Sequence, residues 1–104
     1  RRMKRIYQSR HRALTTAVKR HMGDRAELIG GRSGLHVLLD VKGRHRDELA
    51  RLAELADCRI YSPAKHWNDP DRCPDSYIML GFGGLTEEEL EEGIRRLAAA
   101  WFGD

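Results

Sequence analysis

Chemistry in a 104-residue chain must come from side chains that ionise, coordinate or attack, and here most of them are scattered rather than clustered. The five histidines, His11, His21, His36, His45 and His66, lack a carboxylate or cysteine at ligand spacing, so they read as structural or surface residues. No metal site is expected. Cys58 and Cys73 lie fifteen apart with neither a CxxC pair nor a disulfide framework around them, a usage that fits a reducing cytoplasm. No serine stands in GxSxG and neither cysteine has a recognisable catalytic context, so no nucleophile is visible. "LIGGRSG" and "LGFGGL" miss the spacing of a phosphate loop and of the dinucleotide fingerprint, and read as turn glycines. One cluster remains. Lys65, His66 and Trp67 stand together in a loop, where a cation and an aromatic ring either face a ligand or leave the ring to close a sheet edge while its neighbours are solvated.

The elements that must position these residues follow from periodicity. Met3, Ile6, Tyr7, Leu14, Ala17, Val18 and Met22 recur at helical spacing, with Lys4, Arg5, Arg12 and Lys19 on other faces, and Gly23 offers a stop. "AELIGG" is a short strand, "RSG" a turn, and "LHVLLDV" a strand committing Leu35, Val37, Leu39 and Val41 to one face. A second helix is expected from Arg46 to Ala56, with Leu49, Leu52, Ala53 and Leu55 as its apolar stripe and Asp47 and Glu48 in its first turn. "CRIYSP" reads as a short strand broken by Pro63, and "AKHWNDPDRCPD" as a loop of turn chemistry. "SYIMLGF" is apolar on both faces, as a covered strand would be. Thr86 and Glu89 then form a capping box, and Leu90, Ile94, Leu97 and Trp101 the buried stripe of a last helix, with Arg95 and Arg96 toward its negative end. The order predicts an α+β fold: a two-layer α/β sandwich whose small, mostly antiparallel sheet carries helices on one face.

Length allows a single domain, residues 1–104, and 40% hydrophobic with 34% charged residues is a globular composition with no apolar run long enough to span a bilayer. The start, "RRMKRIYQSR", carries neither an initiator methionine nor a signal peptide, and suggests a fragment of a longer chain. The net charge of +3 hides a polarised molecule, basic over the first 25 residues and acidic over 87–92. The first helix offers phosphates a basic surface, but its cations fall on several faces, its apolar stripe asks for a protein partner, and no nucleic-acid-binding signature accompanies it.

Taken in order, "GGRSGLHVLLDV", "CRIYSPAKHWNDP" and "YIMLGFGGLTEEELEEGIRRLAAAW" resemble the C-terminal end of MocR/PdxR-type regulators, a branch of the GntR family. Those proteins join a winged-helix DNA-binding domain to a domain shaped like a fold type I aminotransferase, which holds pyridoxal 5'-phosphate. The resemblance implies an aminotransferase small-domain-like lobe that is not catalytic by itself. It implies a large lobe of the same chain as partner, holding the cofactor and its lysine, and leaves no cofactor-binding residue here. It further implies DNA contact through an N-terminal domain, an amino-acid-like or vitamin B6 effector, and a homodimeric parent. In aminotransferases of that fold an arginine on the strand matching "SYIMLGF" grips the substrate carboxylate, and the match places Met79 at or next to it, a thioether that makes no charge-assisted contact. Lys65, His66, Arg72 and Met79 are therefore the residues expected to face an effector, Lys65 or Arg72 standing in for the missing cation. The alternatives are a genuine class I/II aminotransferase as parent, or a freestanding module whose basic helix docks on an acidic partner.

Overall fold

A computed structural model of the chain describes residues 2–33, 36–81 and 85–103, and the side chains of residues 2–7, 31–33 and 66 fall outside that description. The expected roles of Leu35, Phe82 and the Gly83–Gly84 turn, and of the Met3, Ile6, Tyr7 and His66 side chains, lie outside the described residues. Helix α1 (Arg2–Met22) buries Leu14, Ala17, Val18 and Met22, the spacing that puts four side chains on one stripe. Gly23 follows with φ +59°, a left-handed backbone that glycine adopts without strain, and the chain turns into β1 (Ala26–Ser33). Strands β2 (His36–Val41) and β3 (Tyr77–Gly81) complete a three-stranded antiparallel sheet in the order β1-β2-β3. Helix α2 (Arg46–Leu55) connects toward β3, and α3 (Glu87–Phe102) closes the fold.

Alternation decides the layers. Val37, Leu39 and Val41 of β2, with Ile78 and Leu80 of β3, join Leu14, Val18, Leu49, Ile94, Leu97 and Trp101 in one buried core. The helices thus pack on one face of the sheet, as the sequence predicts. Residues of the opposite parity, His36, Leu38 and Asp40 on β2 and Tyr77, Met79 and Gly81 on β3, form the second face. Leu38 and Met79 are buried there as well, each 7% exposed, so the two-sided apolar pattern of β3 is real.

Three expectations need correction. "RSG" does not end β1, which runs through Ser33; register shifts after Leu28 and Gly31, together with φ +155° at Gly30, let glycine absorb the irregularity within the strand. "CRIYSP" is no strand but a single bridge, Tyr61 to Met79, because Pro63 has no amide to donate and a 3-10 turn, Ala64–His66, begins at once. Leu55 is 77% exposed, since six residues beyond Leu49 it lies about 240° around the helix from the stripe, which is made by Leu49 and Ala53.

The last helix forms as its sequence demands. The Thr86 hydroxyl accepts from the Glu89 amide at 3.1 Å while the Glu89 carboxylate accepts from the Thr86 amide at 2.9 Å. Within this helix Gly93 sits where an added Cβ would meet nothing within 4 Å. Gly93→Ala is therefore expected to stabilise the chain by about 1 kcal/mol through helix propensity, raising the thermal midpoint by about 4–8 °C. A calorimetric scan checks it, and an unchanged or lower midpoint would mean that the position is not open.

Candidate functional site

Met79 is held from both sides. Its amide donates to the Tyr61 carbonyl at 2.8 Å and its carbonyl accepts from the Tyr61 amide at 2.9 Å. Both backbone groups thus point away from β2, which makes Leu38 and Met79 a non-hydrogen-bonded pair, the kind whose side chains lie closest. A cation at this position would have to leave an apolar neighbourhood; the thioether simply fills it.

Tyr61 does more than bridge. Its ring meets His36 edge-on at a centroid distance of 5.9 Å, beside Gly81, where a Cβ would stand in ordinary contact at 3.6 Å from the imidazole and 3.7 Å from the phenol ring. Trp67 packs edge-on against Tyr77 at 6.0 Å, so the indole docks on the second face of the sheet. The second face is thus lined by His36, Leu38, Tyr61, Trp67, Tyr77 and Met79, an aromatic and apolar surface. Asp40, on the same face, is bound by the Ser76 hydroxyl at 2.6 Å.

Lys65 is exposed on the turn Ala64–His66, and Arg72 is exposed on a second 3-10 turn, Pro70–Arg72, which packs against the first. The Arg72 guanidinium reaches Asp69 only at 3.9 Å. Lys65, His66 and Arg72 thus share one loop, while Met79 is buried in the strand that the loop borders. What fixes that loop is Arg46, which the sequence reading took only as the start of a helix. Its guanidinium donates to the carbonyls of Pro74 at 2.9 Å and Tyr77 at 3.1 Å and stands 3.6 Å from the Cys73 sulfur, and its amide donates to Asp75 at 2.7 Å. Nothing in the local sequence marks that role, because its partners lie some 28–31 residues away.

Other titratable groups are shifted by burial and by their ion-pair neighbours. Burial pushes the Cys58 thiol up, with Asp57 and Glu92 adding to the effect and Arg96 opposing it, so it is kept protonated and a poor nucleophile. Hydrogen bonds from Arg95 and then Arg96 bring the Glu92 carboxyl down to about 2. Glu91 is lowered too, first by its hydrogen bond with His21 and then by Arg20, both 2.8–2.9 Å from one carboxylate oxygen. Among the described residues no group of His, Cys, Asp and Glu is arranged to hold a metal ion, and no helix is long and apolar enough to cross a membrane. Nor do the described residues fit a pyridoxal phosphate pocket: Lys19, Lys42 and Lys65 are all exposed and no polar or charged residue is buried.

No protein-family model matches the chain. Over 96% of its length it is 31% identical to the uncharacterized HTH-type transcriptional regulator YhdI of Bacillus subtilis and 33% identical to YdeL of the same organism. The chain spans 21% of the length of each. Its fold superposes on the α-aminoadipate aminotransferase LysN of Thermus thermophilus, solved with N-(5'-phosphopyridoxyl)-L-leucine, with a TM-score of 0.79 over 95% of this chain and 25% of that one, at 22% identity. A multiple substrate aminotransferase of Thermococcus profundus gives 0.76 over 92% of this chain and 24% of that one, again at 22% identity. The kynurenine aminotransferase of Pyrococcus horikoshii gives 0.76 over 92% and 24%, at 18% identity. The expected kinship holds: by sequence the chain is homologous to a part, about one fifth, of HTH-type transcriptional regulators, and its α+β fold matches about one quarter of each of these aminotransferases.

Proposed function

We propose that the chain is the C-terminal lobe of a pyridoxal phosphate-binding transcription regulator of the MocR/PdxR type, located in the cytoplasm. One observation carries this: the same 92–96% of the residues is related by sequence to HTH-type regulators and by fold to aminotransferases. In the parent, a large lobe of the same polypeptide holds the cofactor and this lobe closes over it. An amino-acid-like or vitamin B6 effector bound between the lobes shifts their relative populations, and the shift reaches an N-terminal DNA-binding domain. Lys65, His66 and Arg72 present their loop to that effector while Met79 and Tyr61 fix the strand beside it. A thioether in place of the carboxylate-gripping arginine favours sensing over transamination. The parent is a homodimer joined through its large lobes.

The test uses the complete polypeptide that carries these residues. With pyridoxal phosphate added, borohydride should trap a pyridoxyl-lysine outside the 104 residues, located by peptide mass spectrometry, and the same protein should retard duplex DNA. A trapped adduct on Lys65, or a polypeptide with no DNA-binding domain, would defeat the assignment.

A further inference from the structure

Helix α1 carries seven lysines and arginines and no aspartate or glutamate. That leaves twelve Lys and Arg against sixteen Asp and Glu in the rest of the chain, a net of −4. Solvated helix faces ordinarily mix the two signs, and like charges along one helix repel, so a single-sign helix on an otherwise acidic molecule invites a polyanion. Where the fold puts those cations decides whether one can reach them. The stripe of Leu14, Ala17, Val18 and Met22 is already buried in the core with α3, so this second half of the helix needs no further apolar partner. Its flank beside α3 is neutralised, Arg20 by Glu91, and is tied down by a Ser9 hydroxyl donating to Glu87 at 2.8 Å. Arg12, Thr16 and Lys19 remain exposed on a row spaced by four and three residues, and neither cation has an ion-pair partner among the described residues. Two helical turns separate Arg12 from Lys19, about 10.5 Å along the axis.

We infer that this row binds the sugar-phosphate backbone of duplex DNA beside the segment gripped by the parent's DNA-binding domain, an inference that rests on the regulator assignment above. A helix already packed along one side offers only a stripe, which suits phosphate contact rather than entry into a groove, so the contribution is to affinity and not to sequence choice. In the complete polypeptide, binding to a mixed-sequence duplex is measured by fluorescence anisotropy between about 50 and 200 mM salt. Arg12→Gln with Lys19→Gln is expected to lower the slope of log K against log salt by about two and to weaken binding about tenfold near 150 mM. Lys42→Gln with Arg51→Gln removes the same charge from exposed positions outside α1 and should leave the slope as it was. Wild-type slope in the α1 pair, with DNA binding intact, overturns the inference and leaves the regulator assignment standing. An equal loss in both pairs reduces the effect to net charge and overturns it too. A lower melting temperature of the α1 pair with unchanged DNA binding would hand the row to an acidic surface of the same protein instead. Failure of the unaltered polypeptide to bind any duplex sinks both.

Discussion

Trp101→Ala is expected to remove about 3–5 kcal/mol of stability, the usual cost of emptying a buried aromatic site, against a total of about 5–15 kcal/mol for a domain this size. The ring is only 3% exposed at the end of α3, and its indole donates to the Leu49 carbonyl at 2.9 Å, so one side chain supplies both packing and a buried polar link to α2. With a urea dependence of about 1–3 kcal/mol/M, the denaturation midpoint should fall by about 2 M. Trp101→Phe keeps most of the apolar surface and loses the donor, for an expected cost of about 1–2 kcal/mol. Equal midpoints for the two variants would mean that the indole link, not the filled volume, dominates. A phenylalanine variant as stable as the parent chain would show the reverse.

Which parts of this fold the sequence discloses depends on how far apart the interacting residues are. The capping box of α3 is legible because Thr86 and Glu89 satisfy each other within one turn, and the apolar stripe of that helix because Leu90, Ile94, Leu97 and Trp101 repeat at its own period. Arg95 and Arg96, placed by the sequence toward the negative end of the helix, both close on Glu92, one turn back. The cations at that end come from elsewhere in the chain: Arg44 donates to the Trp101 carbonyl, and the Arg25 guanidinium lies 4.2 Å over the Phe102 ring. No local pattern announces a pairing across such separations. The failed strand at "CRIYSP" has the opposite cause. Its composition suits a strand, but only Tyr61 finds a ladder partner, and propensity without a partner makes no sheet.

The candidate site divides the same way. Met79 stood out only through the resemblance, and its burial beside Leu38 shows a side chain packed into the strand. Lys65, His66 and Arg72 were legible as neighbours in one loop. His36 and Tyr61 were not singled out, since their contact depends on a bridge from the loop to β3, which has no spacing to read. A conformational change in this region therefore has to be sought where the loop is anchored, not at its charged tip.

That anchor is Arg46, and its loss should separate the loop from the sheet. Arg46→Met keeps most of the aliphatic stem but abandons the carbonyls of Pro74 and Tyr77, at an expected cost of about 2–3 kcal/mol. The cost should fall locally. The backbone bonds between Tyr61 and Met79, the Trp67–Tyr77 contact and the Ser76–Asp40 hydrogen bond also tether the loop, while the core between sheet and helices does not include Arg46. Amide exchange at Tyr61 and Met79 is expected to speed up by about tenfold or more, while amides of β2 paired with β1 keep protection closer to that of the parent chain. Uniform acceleration across the chain would instead make Arg46 a global support, and unchanged exchange at Tyr61 would mean that the remaining contacts hold the loop without Arg46. With the local outcome, the residues that present Lys65 and Arg72 can move as a unit while the core remains folded, which is the property a lobe closing over a ligand requires.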